Sequence, residues 1–228
     1  MRRTVEGATD NGRRGGSDRG WEDARVNHFS YRPIGPGDDR PRLPEPRPAE
    51  PGRWPMLEAA LAVVNRDVTA TLPGQEPLIL MAVPSHEPTP QGGFDGEQVH
   101  VALPDGRWHG NQVNAYDPEE GDPEEPDDEE TALSVVADAA QSTLMELLWQ
   151  TWPICPEHKL GTHPRPAGST EDWYETTTQA DGPTVWWCRG DQDSHGHDLC
   201  RVGELAGTLP GKERRALRRA ERARGERP

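Results

Sequence analysis

The chain has 228 residues, a formal net charge of −15, 32% hydrophobic residues, and 24 Gly and 24 Pro. Average globular chains are roughly 45–50% apolar when Gly is counted, so this composition excludes one large core running the whole length. Apolar patterning marks about 120–140 residues as able to offset their ordering entropy. Three cysteines are an odd number in a long chain, which argues against a disulfide framework and for reduced thiols or metal ligands.

The basic residues are nearly all Arg, with Lys only at Lys159 and Lys212. This fits codon bias in a GC-rich genome and carries little functional information. No apolar run follows the first arginines, so no secretory signal is read there. The longest apolar run, "LILMAV", is far short of a membrane span. The expected location is the cytoplasm.

The first 50 residues hold 10 Arg and 9 acids among Gly, Pro and scattered aromatics. They read as a disordered leader, 1–53, that ends in a proline-rich extended linker, "RPRLPEPRPAEPGRWP". The first patterned element is 55–72, where Leu57, Ala60, Leu61, Val64 and Val68 recur at helical spacing behind Pro55. "PLILMAV", 77–83, reads as a buried strand. Alternation at Val99, Val101 and Leu103 meets Asp105-Gly106, a hairpin turn pair, and predicts a strand pair over 96–113 with Trp108 on the returning arm. His100 and His109 flank that turn and read as part of a polar face.

Residues 117–130 contain ten acids and read as a solvated loop. The last of them, Asp127 to Glu130, also suit the positive end of a following helix. That helix is predicted over 131–152, with an apolar face of Leu133, Val136, Ala137, Ala140, Leu144, Leu147 and Leu148, and with Pro153 ending it. "DWYETTT" and "TVWWC" are strand-like, and 198–205 is a candidate third strand. Of the adjacent Trp186 and Trp187, alternation places one in the core and the other outside it or against the following loop. The tail, 208–228, is basic and reads as a frayed helix or as disordered.

Two groups of candidate metal ligands lie about thirty residues apart: Cys155-x2-His158-x4-His163 and Cys188-x6-His195-x-His197-x2-Cys200. Two ligands two residues apart on a tight turn can chelate one ion, and zinc takes four such donors in a tetrahedron. Cys155-Pro156-Glu157-His158 has that spacing, with Gly161 where the chain bends away. Two such turns joined by a sheet make a zinc-ribbon-like unit, and Cys188 would open the second. For the fourth ligand His197 is favoured, because Gly196 would free the backbone to bring it round. Cys200 is close behind, since His197-x2-Cys200 mirrors Cys155-x2-His158, and His195 is third. His163, before Pro164, reads as a bystander.

The residues "LLWQTWPICPEHKLGTHPRP", "VWWC", "GH" and "VGEL" resemble a group of actinobacterial proteins of no known activity. In these a "WP-C-P-x-H" stretch precedes a "WWC…GH…VGEL" tail. The resemblance covers about residues 145–205 and implies Cys155, His158, Cys188 and His197 as the matching positions. The additional His195 and Cys200 of this chain leave the fourth ligand open.

The expected fold is α+β: a small helix/strand domain at 54–152 with an acidic loop, an appended zinc-ribbon-like unit at 153–207, a long disordered N-terminus and a charged C-terminal tail. No nucleophile motif, phosphate-binding loop or dinucleotide fingerprint is present. The expected function is a non-enzymatic binding or adaptor protein with a structural zinc ion and an undefined protein partner. The alternatives are a nucleic-acid-associated or regulatory protein using the basic tail, and a metal-dependent enzyme. Residues 131–210 hold 11 acids against 4 Lys or Arg, which opposes nucleic-acid binding by the folded part. The tail 211–228 holds eight basic residues against three acids.

Overall fold

The computed structural model describes residues 45–84, 96–114, 124–169, 182–191 and 195–225. The leader up to 44, the first half of the acidic run (117–123) and the "DWYETTT" segment lie outside the described residues. The fold is α+β, and the described residues form two three-stranded antiparallel sheets and three α-helices.

Helix α1 spans Pro55–Thr71 and buries Leu57, Ala60, Leu61, Val64, Asp67 and Val68. Trp54, just before it, is buried as well. The first N–H groups of a helix lack intrahelical partners. Here Met56 and Leu57 donate theirs to the Glu125 carboxylate at 3.4 and 3.3 Å. The acidic run is therefore not wholly a solvated loop. Beside Glu125, Glu124 pairs with Arg53, and Glu130 accepts the backbone N–H of Thr184 at 2.7 Å.

The first sheet joins β1 (Arg47–Pro48), β2 (Ile79–Pro84) and β3 (Glu97–Ala102) in that order. β1 belongs to the stretch read from sequence as a linker, and it pairs with β2 through Arg47 opposite Ala82 and Pro48 opposite Met81. β3 pairs with β2 along its whole length. The hairpin turn at Asp105–Gly106 forms, with Leu103 N–H donating to Arg107 at 2.8 Å, but the expected returning strand does not. It is reduced to one bridge between Ala102 and Trp108. Further on, the Asn114 side chain substitutes for a strand, accepting from Val99 N–H and donating to the Glu97 carbonyl. His100 is buried, with its ring against Trp108.

Helix α2 spans Glu129–Leu148, and Asp128 caps it by accepting from Thr131 N–H at 2.8 Å. It ends four residues short of the expected point. Trp149 turns into the left-handed region at φ 52°, so the stop precedes Pro153. The buried face is narrower in side chain than expected: Ala132, Val136, Ala137, Ala139, Ala140 and Leu144, with Gln141 and Thr143 among them. Leu133, Leu147 and Leu148 are only partly buried against it. This face of small residues packs against α1.

The second sheet joins β4 (Thr162–Pro166), β5 (Thr184–Cys188) and β6 (His197–Arg201). β4 carries Pro164 and Pro166, which an edge strand tolerates. Helix α3, Gly211–Gly225, follows a 3-10 turn at Leu205–Thr208. Trp152, Trp186, Val202 and Leu205 lie in the same buried cluster as Leu57, Val64, Val99 and Val136.

The link between the sheet and α1 is polar. The fully buried Asp67 carboxylate accepts from Trp186 Nε1 at 2.7 Å, Gly203 N–H at 2.6 Å and Leu205 N–H at 2.7 Å. Burial pushes its carboxyl up from the ordinary aspartate value, against those three hydrogen bonds, which pull it down. Gly203 lies at φ 93°, and a Cβ there would come within 2.5 Å of Val63. One turn on, Thr71 Oγ1 accepts from Trp152 Nε1 at 2.8 Å. Two indole N–H groups are thereby satisfied from one helix face, and the two rings meet edge to face with centroids 5.2 Å apart.

Removing Asp67 leaves three buried donors without an acceptor, each worth about 1–3 kcal/mol. Asp67→Ala should lower stability by about 3 kcal/mol or more and lower Tm in a thermal melt. Asp67→Asn, which keeps one acceptor oxygen, should fall between Asp67→Ala and wild type. Unchanged melting of Asp67→Ala would contradict this role.

Candidate metal centre

The segment after α2 is drawn back on itself by a polar side chain in the middle of that helix. Buried Gln141 donates through its amide nitrogen to the carbonyls of Trp152, at 2.9 Å, and of Thr162. These carbonyls stand at the two ends of a closed loop. Within it Ile154 bridges to Gly161, Cys155 N–H donates to Leu160 at 2.9 Å, and Lys159 N–H donates to Cys155 at 2.9 Å. The left-handed residue that turns this loop is Lys159, at φ 58°, rather than Gly161. What position 161 requires is space, since a Cβ there would lie 2.9 Å from the Thr151 methyl.

The loop runs directly into β4, and pairing then sets the remaining geometry. Thr162 lies opposite Cys188, and Cys188 lies opposite His197. Directly opposed residues project on the same face of an antiparallel sheet. Cys188 and His197 are thus presented together at the end of the sheet from which the Cys155–His158 turn protrudes. After Cys188 the chain turns at Gly190, φ 74°, whose N–H points at the Cys188 sulfur at 3.5 Å.

The donor atoms of Cys155, His158, Cys188 and His197 all lie within 4.8 Å of one another, and these four residues are placed to hold a metal ion. Cys155 Sγ is 3.7 Å from His158 Nδ1 and 3.8 Å from His197 Nε2, and Cys188 Sγ is 3.6 Å from His158 Nδ1. Both cysteines are buried and both histidines partly so. Burial raises the Cys188 thiol above its ordinary value. The Gly190 N–H works against this, and neighbouring Cys155 adds to it. A metal taken up here must therefore displace thiol protons, as thiolate ligation requires.

The other candidates stand elsewhere. His195 is exposed and outside the cluster. His163 is exposed on β4, paired with Trp187. Cys200 is opposite Trp186, past a register shift between Trp186 and Trp187 that separates it from His197. Burial, with Asp67 and Glu204 adding to it, pushes its thiol up to about 12, so near neutrality it is a half-buried apolar group. Gly196 serves by its size: a Cβ there would lie 2.2 Å from the Trp187 ring. Trp187 is covered by the Arg165 guanidinium, 3.9 Å from its ring centroid. Both tryptophans are buried, Trp186 in the core and Trp187 against the chain that leads into His197.

Gln141 and Asp67 escape a reading based on apolar periodicity, which passes over polar residues within an apolar face. Their signal was that position: each sits at helical spacing among buried residues, where an unpaired polar group would be costly.

Cys155→Ser and Cys188→Ser should each abolish stoichiometric metal retention, measured by elemental analysis of the purified chain. Cys200→Ser, His195→Ala and His163→Ala should each retain it. Loss of metal with Cys200→Ser, or retention with Cys188→Ser, would reassign the ligands.

No family model matches the chain, and no curated protein or solved structure matches it either, so the reading of this cluster rests on its donors and their place in the fold.

Proposed function

We propose that this is a non-enzymatic binding or adaptor protein whose second sheet is fixed by a structural zinc ion held by Cys155, His158, Cys188 and His197. The observation that carries the reading is the spacing of the donor atoms. Zinc bonds of about 2.3 Å to sulfur and about 2.0–2.1 Å to nitrogen, set tetrahedrally, put sulfur and nitrogen about 3.6 Å apart. Three of the four sulfur–nitrogen separations are 3.6, 3.7 and 3.8 Å, and all four donors lie within 4.8 Å of one another. Two thiolates and two imidazoles suit zinc over the oxygen-preferring cations. Four protein donors also fill the coordination sphere, which favours a structural role over catalysis, where one position is left for water or substrate.

The cysteines are unpaired, with none in a disulfide, which agrees with a reducing compartment, and we place the protein in the cytoplasm. Among the described residues no helix is long and apolar enough to cross a membrane. A protein partner is supported by two exposed side chains, one just before the metal loop and one within it. Trp149 is 85% exposed and Ile154 51% exposed. Trp149 occupies a left-handed backbone position that L-residues rarely adopt, and exposed tryptophans are frequent energetic centres of interfaces.

The purified chain should carry one zinc per molecule. Stripping it with a chelator should cost at least about 4 kcal/mol, the stabilisation given by a ligand about a thousandfold above its Kd. Cobalt substitution should give the absorption spectrum of a tetrahedral thiolate site. A well-folded, metal-free chain that melts identically with and without zinc would overturn the reading.

A further inference from the structure

We propose that helix α3 is a contact surface for the phosphate backbone of duplex DNA, independent of the metal centre. The tail sequence becomes a regular helix over Gly211–Gly225, and that order turns a basic composition into a geometry. At 100° per residue, Arg214, Arg218 and Arg222 form one row and Arg215 and Arg219 the adjacent row, together an arc of about 140°. All five residues are exposed. Among the described residues none of them forms an ion pair, and Arg214 alone has a hydrogen bond, to the Gly207 carbonyl at 3.4 Å. Among the described residues nothing neutralises the stripe, on a chain whose net charge is −15.

The other side of the helix faces the body. Glu213, Ala216 and Leu217 line a cavity of about 510 Å³ together with Thr71, Leu72 and Pro73 at the end of α1. Leu217 is therefore turned inward, while the arginine rows face away from this contact.

The chemistry selects the partner. A helix that lies on a membrane needs a broad apolar face to insert. On α3 the one large apolar side chain is Leu217, which lines the cavity. An arginine-only stripe instead fits phosphates, which guanidinium groups bind with two parallel donors. An α-helix is about 10–12 Å across with its side chains, a match for the roughly 12 Å major groove of B-DNA, whereas the major groove of duplex RNA is deep and narrow. The acidic remainder of the chain repels DNA beyond the stripe. This confines contact to α3 and keeps the interaction weak and salt-sensitive.

The test uses the full, metal-replete chain and a fluorescein-labelled 30-base-pair DNA duplex, read by anisotropy. Five phosphate contacts give a slope of log K against log salt of about −4.5, or an affinity loss of about 500-fold between 50 and 200 mM salt. Replacing three arginines together (R215Q/R218Q/R219Q) keeps helix propensity and should make the slope shallower by about three. Unchanged circular dichroism and metal content confirm that the fold is intact. The matching RNA duplex, and vesicles containing anionic phosphatidylserine, should bind more weakly than the DNA. The proposal is overturned by wild-type affinity weaker than about 10⁻⁴ M at 50 mM salt, by a slope the triple variant leaves unchanged, or by RNA or vesicles binding as tightly as DNA. The wild-type arms decide the matter even if the triple variant does not fold.

Discussion

A buried carboxylate is the joint of this molecule. Asp67 projects from the C-terminal part of α1 into the core and accepts three N–H groups, one from the Trp186 ring and two from the backbone of Gly203 and Leu205. Those donors come from β5 and from the turn after β6, so one side chain fixes the second sheet and the chain leaving it against the first helix. A buried ionisable group is costly unless its lone pairs are used. With three donors converging on two oxygens, only one placement of the sheet satisfies them all. Apolar packing around it, from Val64, Val68, Val202 and Leu205, supplies most of the area but far less direction. The division of labour is typical of small cores: burial gives the magnitude, and a satisfied polar network selects one arrangement.

A second polar side chain extends that arrangement to the candidate metal centre. Gln141 holds the carbonyls of Trp152 and Thr162, so the loop bearing Cys155 and His158 begins and ends on α2. Strand pairing then sets Cys188 opposite Thr162 and His197 opposite Cys188. The four donors are therefore placed by two kinds of constraint, a clamped loop and a sheet register. They come from widely separated points in the chain, and no single local motif sets their geometry. The register shift between Trp186 and Trp187 is part of the same device. It puts Cys200 opposite Trp186 and leaves Cys188 paired with His197.

That dependence explains which features were legible in the sequence. Helices α1 and α2 and strands β2, β3 and β5 follow from periodicity and length, because each buries a mainly apolar face. The ligand spacing of Cys155 and His158 is local and visible. The choice among His195, His197 and Cys200 is set by the β5–β6 register, and register is a property of pairing that residue spacing does not encode. The early end of α2 at Leu148 likewise depends on Trp149 adopting a left-handed conformation, which no propensity favours for tryptophan. The missing returning strand after Asp105–Gly106 has a similar cause. β2, thirteen residues upstream at the nearest pair, lies along one edge of β3, and on the other edge Asn114 takes up the Val99 N–H and the Glu97 carbonyl. Glu125 at the N-terminus of α1 and Glu130 at β5 show the same limit for charge. An acidic block reads as solvated because its composition says nothing about which carboxylates meet orphan N–H groups.

Strand length decides how much the donor cluster matters to the rest. The second sheet has three strands of five residues each, one of them interrupted by two prolines, and sheets this small hold together only when packed or cross-linked. Its Trp186 side is anchored to α1 through Asp67. Among the described residues the end bearing Cys188 and His197 has no comparable anchor in the core cluster: around Trp187 it relies on Arg165 and on the space left by Gly196. A cation bridging Cys155, His158, Cys188 and His197 would close that end, tying the loop from α2 to both β5 and β6. Core and donor cluster thus act at opposite ends of one short sheet. Loss of either should loosen the sheet from its own side, with the Asp67 joint holding the Trp186 end when the metal is removed and the donor cluster holding the other end when the joint is cut.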